Sequence, residues 1–386
     1  MTAAPTLEWV EQEQARSARW LSEAGSAPPR RVRLVDDTLT ADAAFRLASE
    51  GTGLLWRGDF QNARQLLQAL ARRADRKPRQ AARTVPDGAP SVSAAFHQHR
   101  MKQGQRARIL GLLLIELEGD DSIALRRAPD LRLACSEAWG PTTGERSVAS
   151  LRELLGLVGA HEWRRKGVEI PALGPAPNNR IHAHYGVFSP VRGEYIDLVA
   201  QAPLPSTALA FDIGTGTGVL ASLLARRGVE RVVATDIDPR ALACARDNVR
   251  RLGLESQVEV LAADLFPAGK APLLVCNPPW VPGRPSSPIE RAVYDEGSQM
   301  LRGFLAGLPE HLTQTGEGWL VLSDLAEHLG LRSRDELLHW IDSAGLAILS
   351  CSQARPRHPK ATDPDDPLHA ARSREVTTLW RLALQR

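Results

Sequence analysis

An α/β protein is what this chain of 386 residues predicts. A mostly parallel sheet wrapped by helices fills its second half, and a smaller, mainly helical region precedes it. Three observations carry that expectation. From Thr207 onward, short apolar runs alternate with helix-length segments, the pattern of β-α-β units. A glycine-rich turn, Asp212-Ile213-Gly214-Thr215-Gly216-Thr217-Gly218, joins the first of those runs to the first helix. Near the C-terminus the alternation stops, and two apolar runs are separated by a polar loop with no convincing helix.

In chain order, residues 7–23 read as an amphipathic helix with Leu7, Val10, Trp20 and Leu21 apolar. Thr40 is placed to cap a helix running to Glu50, where Gly51 stops it. Leu54-Leu55-Trp56 predicts a short strand, and Asp59 caps a helix through about Arg73 with Leu66, Leu67 and Leu70 on one face. Residues 83–95, with two prolines, a glycine and two serines, read as a loop. His97-Gln98-His99-Arg100-Met101-Lys102 continues through Arg106 and Arg108 into the apolar run 109–117. That basic helix is either a substrate-docking surface or a solvated face. Residues 150–163 predict another helix, and 171–179, with three prolines and one glycine, read as a connector between domains 1–170 and 180–386. No repeat of fixed period is present, and 150 residues are tight for a second copy of the C-terminal fold.

The second half predicts strands at 208–212, 231–236, 258–262, 272–276 and 319–323, with helices at 218–227, 239–252 and 297–313. Strands at 346–352 and 376–384 close the chain, separated by the loop 355–374.

Composition excludes several classes. No run of about 18 uncharged apolar residues is present, so no membrane span is expected. The N-terminal Glu8, Glu11 and Glu13 do not form a basic-then-apolar signal segment, and a cytoplasmic location is the expectation. The net charge of +3 from 43 Arg and 5 Lys is too small to imply a polyanion partner by itself. Cys135, Cys244, Cys276 and Cys351 lack metal-type spacing, so reduced thiols and no bound metal are expected.

The chemistry concentrates at two places. In the glycine turn, Gly214, Gly216 and Gly218 let the backbone approach a ligand, and the following helix offers free amide donors. The spacing is G-x-G-x-G, not the dinucleotide G-x-G-x-x-G, and no lysine follows as in a phosphate-binding loop. A dehydrogenase is therefore disfavoured. Further on, Asn277-Pro278-Pro279-Trp280 follows the apolar run 272–276. An amide or aryl-amine nitrogen has a delocalised lone pair and is a poor nucleophile. Two oxygen acceptors, the Asn277 side chain and the Pro278 carbonyl, can hold such a nitrogen with its lone pair aimed at an electrophile. The proline pair keeps the turn rigid and its carbonyls free. Trp280 can stack on a flat substrate for about 1–3 kcal/mol if that face is a base.

In this order and spacing, the two motifs resemble the class I S-adenosylmethionine-dependent methyltransferases that act on planar nitrogens, in particular the protein-glutamine N5 and adenine-N6 enzymes with a methyltransferase small domain. The resemblance covers residues 180–386. It implies a Rossmann-like sheet of seven strands with an antiparallel terminal strand, and S-adenosylmethionine as cofactor. Asp212, Gly214, Thr215, Gly216 and Gly218 would face the methionine end, and Asp236, at the end of the second strand, the ribose hydroxyls. Ile237 would flank the adenine, Asp264 would take its amino group, and Leu265 would form a wall. Gly186-Val187-Phe188-Ser189-Pro190-Val191-Arg192-Gly193-Glu194-Tyr195 looks like the segment that covers the cofactor in these families, with Phe188 and Pro190 as candidates and Glu194 behind them. The alternative is a helix start with Pro190 early and Tyr195 in the core. Tyr294-Asp295-Glu296-Gly297 resembles the acidic-glycine turn that follows the motif in release-factor enzymes. Trp280 departs from their tyrosine, and the N-terminal region is longer than theirs.

The expected activity is N-methylation of a protein glutamine side chain, with Asn277 (also beside the cofactor), Pro278, Pro279 and Trp280 at the reacting end. The alternative is adenine-N6 or guanine-N2 methylation of RNA, with a small amide or amine as a third acceptor. A binding module without catalysis is the reading from another class, opposed by the intact glycines, Asp236 and Asn277.

Overall fold

The computed structural model describes residues 5–76, 91–357 and 363–385. The chain divides into two compact units, Met1–Glu162 and Trp163–Arg386.

The first unit opens with β1 (Thr6–Glu11) and β2 (Gln14–Trp20), paired antiparallel with Glu11 opposite Gln14. This corrects the helix expected over residues 7–23. Leu7, Trp9, Ala18 and Trp20 are buried while Val10 is 68% exposed, an alternation of period two. Gln12 and Glu13 take positive φ values of 51° and 60°, and two such residues in succession match the twist of a hairpin.

There follow β3 (Arg31–Val35), α1 (Ala41–Ser49), β4 (Thr52–Trp56), α2 (Phe60–Ala74), α3 (Val92–Leu110), β5 (Leu113–Leu117), α4 (Arg132–Trp139), β6 (Ser147–Ser150) and α5 (Leu151–Lys166). Thr40 and Asp59 cap α1 and α2, their side chains accepting the amides of Ala43 and Gln61. The loop expected at 83–95 lies outside the described residues up to residue 90, and Ser91 then caps α3. The sheet runs β1-β2-β6-β5-β4-β3, with β3, β4 and β5 mutually parallel and β6 antiparallel to β5. The expectation of a mainly helical region thus missed its organising element. Helices hold more of its residues, but they pack on a six-stranded sheet.

The second unit comprises β7 (Val168–Glu169), β8 (Arg180–Ile181), α6 (Glu194–Gln201), β9 (Leu209–Ile213), α7 (Val219–Arg226), β10 (Arg231–Asp236), α8 (Pro239–Arg251), β11 (Val258–Ala262), β12 (Ala271–Cys276), α9 (Gln299–His311), β13 (Leu312–Ser323), α10 (Leu325–His328), α11 (Arg334–Ser343), β14 (Leu346–Ala354), the one-turn α12 (His369–Arg372) within the expected loop 355–374, and β15 (Thr377–Leu384); residues 358–362 of that loop lie outside the described residues. Its seven-stranded sheet has the order β11-β10-β9-β12-β13-β15-β14. Neighbours from β11 to β13 are parallel, and β15 is inserted antiparallel between β13 and β14. This order differs from that of the first unit, which is therefore not a second copy of the same topology. Residues 171–179 pack onto this unit: Ile170, Leu173 and Ile181 are buried in its core.

Period-two patterning divides the sheet's two faces. Ala210, Val232, Leu273, Val275, Trp319 and Val321 face α6 and α7, whereas Phe211, Val233, Leu274, Cys276, Leu320 and Leu322 face α9 and α11. Both faces are covered, which is why these strands read as continuous apolar runs.

Candidate active site

The strand order reverses between β9 and β12, the place where open α/β sheets leave a crevice at the strand C-termini. Thr235 and Cys276 both lie opposite Ile213 in the register. The residues that follow them, Asp236 and Asn277, therefore flank Gly214 from either side. Sequence positions 214, 236 and 277 meet at one edge because three parallel strands end in step.

The glycine turn is built from below and from the side. Asp212, 1% exposed, accepts the Thr215 hydroxyl at 2.6 Å and the Ala221 amide at 3.0 Å through the same oxygen. It joins the turn to the first turn of α7. Burial pushes its carboxyl up to about 6, against the pull of those two hydrogen bonds. Asp236 accepts the Gly216 amide at 3.0 Å on one oxygen and the Asp238 amide at 3.0 Å on the other. Burial raises its carboxyl as well. Gly214 has φ 71°, and any side chain there would run into the Met300 thioether. Gly218 has φ 78° and would place a Cβ 3.2 Å from Ala245. Both positions favour glycine by conformation, and a Cβ at Gly218 would also crowd Ala245.

On the β10–β11 side, Ile237 is 73% exposed, a large apolar side chain left uncovered at the crevice. Asp264 is exposed. Leu265 takes φ 67°, a left-handed conformation costing a non-glycine residue about 1–2 kcal/mol. The Thr235 hydroxyl, donating to the Leu265 carbonyl at 2.5 Å, holds it there. S-adenosylmethionine fits this set. The Asp236 carboxylate retains lone pairs beyond its two backbone bonds, Ile237 offers an open apolar face, and the glycines permit close approach.

In the Asn-Pro-Pro-Trp motif, Pro278 is buried and Asn277 and Trp280 are half-buried. The Trp280 indole donates to the Asn277 side-chain oxygen at 2.8 Å. The backbone then ties the motif to the acidic-glycine turn: Val281 donates to Val293 at 3.1 Å, and Asp295 donates back to Val281 at 3.1 Å. The Asp295 carboxylate accepts the Met300 amide at 2.8 Å at the start of α9, and burial raises it. Met300 in turn lies on Gly214. One loop and one helix start therefore connect the Asn-Pro-Pro-Trp motif to the glycine turn.

The segment at 186–195 divides between its two readings. Pro190 is buried and Phe188 remains 38% exposed. Tyr195 lies in the core, and α6 begins at Glu194. Gly186, φ 79°, is wedged between Arg240 and Pro288, which brings this segment beside the proline-rich loop after the motif.

Sequence reasoning missed the residues that brace the site. Asn248 is fully buried in α8; it donates to the Thr217 carbonyl at 3.0 Å and accepts the His182 amide at 2.7 Å. An asparagine one position before Val249, in the apolar stripe of α8, was the available signal. Arg192, Ser323 and Glu375 are brought together from three distant segments, and no spacing rule reveals such a set.

Comparison with known proteins is consistent with this geometry. Residues 178–334 match the model of the methyltransferase small domain. The chain is 30% identical over 173 residues to the release factor glutamine methyltransferase of Cereibacter sphaeroides, covering 41% of this chain and 60% of that protein. It is 32% identical over 151 residues to the tRNA1(Val) (adenine(37)-N6)-methyltransferase of Aeromonas salmonicida, covering 37% and 64%. It is 35% identical over 118 residues to the ribosomal protein L11 methyltransferase of Vibrio cholerae, covering 30% and 40%. The chain thus spans between 40% and 64% of the length of these relatives. Among the described residues, no helix is long and apolar enough to cross a membrane. The glycine turn, the two strand-end side chains and the segment 178–334 that matches the methyltransferase small domain all lie in the second unit, which resembles the class I S-adenosylmethionine-dependent methyltransferases.

Proposed function

We propose that the whole chain is an S-adenosylmethionine-dependent N-methyltransferase whose acceptor is a planar nitrogen, a protein glutamine side chain in the first instance. The observation that carries this is the position of Asn277: one residue past β12, level with Gly214 and next to two prolines. Asn277 Oδ1 and the Pro278 carbonyl each accept one N–H of the acceptor and turn its lone pair toward the cofactor turn. Trp280 packs beside them on both core faces, so the turn is anchored to the sheet. Orientation of this kind is worth up to about 7–11 kcal/mol in favourable cases. When bound, S-adenosylmethionine would supply an electrophilic methyl, toward which Asn277 and the Pro278 carbonyl hold the nitrogen lone pair; the methylated nitrogen would release its proton to water. No general base is required, because alkylation makes the nitrogen acidic.

We place substrate recognition in residues 1–170, with the basic stretch of α3 from His97 through Lys102 to Arg106 and Arg108, where His97, Lys102 and Arg108 are exposed, as the surface involved, and the reaction in the cytoplasm. RNA is the second reading, favoured by the 32% identity to a tRNA adenine-N6 enzyme.

The test is to incubate extract of a deletion strain with the purified chain and radiolabelled S-adenosylmethionine, then digest with protease or ribonuclease. Protease-sensitive label that disappears with Asn277→Ala, at unchanged cofactor affinity, is the expected result. Ribonuclease-sensitive label assigns the acceptor to RNA, whose binding should also weaken steeply with salt. Cofactor binding with no label in any fraction overturns the catalytic reading.

A further inference from the structure

Trp280 is a donor-only side chain whose N–H is already committed within the turn. Its target, the Asn277 carboxamide, has two flips of nearly identical shape. In one, Oδ1 meets the indole N–H at 2.8 Å. In the other, an NH2 group meets it, two donors face each other, and the bond is lost. Only the first flip puts the oxygen on the indole side, and it still leaves a lone pair there for a substrate N–H, because a carbonyl oxygen accepts two hydrogen bonds and the indole takes one.

The ring itself is held. The Arg192 guanidinium lies over the indole, 5.8 Å from its centroid. Arg192 donates to Glu375 at 3.2 Å. Glu375 is 1% exposed and also accepts the Ser323 hydroxyl at 2.8 Å, at the end of β13. Ser323 and Glu375 border the antiparallel pair β13–β15, so the line of contacts reaches from the sheet to the Asn277 oxygen.

We propose that Trp280 is a positioning residue: its indole N–H locks the Asn277 carboxamide in the acceptor orientation, and the Arg192–Glu375–Ser323 set fixes the ring that does so. The inference rests on the reading of Asn277 as the acceptor of a substrate N–H. It adds a requirement that stacking alone does not impose, since a phenyl ring stacks on a flat substrate but cannot donate.

Two measurements test it. The first is the indole 1H–15N resonance of Trp280, which should move on Asn277→Ala. An unmoved resonance means the bond does not form in solution and overturns the proposal without reference to activity. The second compares Trp280→Phe with the wild type on the acceptor found by labelling. Cofactor affinity and KM should stay within about threefold while kcat falls about tenfold or more, the size of one lost hydrogen bond. Arg192→Gln should lower kcat in the same direction by a smaller factor. Wild-type kcat in Trp280→Phe sinks the lock and leaves the methyltransferase reading intact. A wild-type protein that labels no amide or amine sinks that reading, whatever the resonance does.

Discussion

Asp236 accepts the Gly216 amide at 3.0 Å, so the carboxylate at the end of β10 and the glycine turn after β9 are one unit. Its other oxygen accepts the Asp238 amide at 3.0 Å. Asparagine can satisfy one of these donors and opposes the other with an NH2 group, whichever way it turns. Asp236→Asn should therefore weaken cofactor binding, and Asp236→Ala should weaken it further. A hydrogen bond to a charged group contributes about 1.5–3 kcal/mol, so the loss of one bond to the cofactor places the alanine variant at roughly 10- to 100-fold weaker affinity. Calorimetric titration with S-adenosylmethionine checks this, and equal affinity in all three proteins would remove Asp236 from the site.

Two glycines with similar backbone angles separate conformational cost from packing cost. Gly218 (φ 78°) would place a Cβ 3.2 Å from Ala245, whereas Gly228 (φ 91°) has nothing within 4 Å. Alanine at Gly228 should cost only the left-handed strain, about 1 kcal/mol. Alanine at Gly218 adds a backbone-to-helix collision between α7 and α8 and should exceed that by about 1 kcal/mol or more. Chemical denaturation of both variants gives the comparison. Gly218→Ala should also lose cofactor affinity and Gly228→Ala should not.

The parallel half of the molecule was legible because burial on both faces writes each strand as an apolar run and each connection as a helix-length gap. Asn277 and Asp236 were legible for a related reason: Asn277 is the first polar side chain after its run, and Asp236 is the first charged one after the run 232–235. The hairpin of β1 and β2 was not. Its inward residues Leu7 and Trp9 lie two apart, but Val10 and Leu21 supply helical spacing as well, and the turn uses Gln12 and Glu13 in place of glycine or asparagine. The sheet of the first unit stayed hidden for a related reason, since β6 is four residues long and reads as the start of the helix that follows. Asn248 and the Arg192–Glu375 pair are contacts of tertiary structure, 66 and 183 residues from their partners, and no local pattern encodes them.

Asp212 gives the stability of the second unit a pH dependence of definite sign. Burial raises its carboxyl from 3.8 to about 6 in the folded chain. Between those values the folded state holds the proton more tightly than the unfolded state does. The contribution to stability is therefore greatest below pH ~4 and is lost as pH rises through about 6. The full difference is about 3 kcal/mol. Asp212→Asn removes this titration while keeping an oxygen for the Thr215 hydroxyl and the Ala221 amide. Relative to the variant, the wild type should lose about 2 kcal/mol of stability between pH 4.5 and pH 7.5. Urea unfolding of both proteins across that range measures the difference directly and cancels the other titrating groups. A difference that stays flat would mean that the Asp212 carboxyl ionises as an ordinary aspartate, and that the glycine turn does not seal it from water.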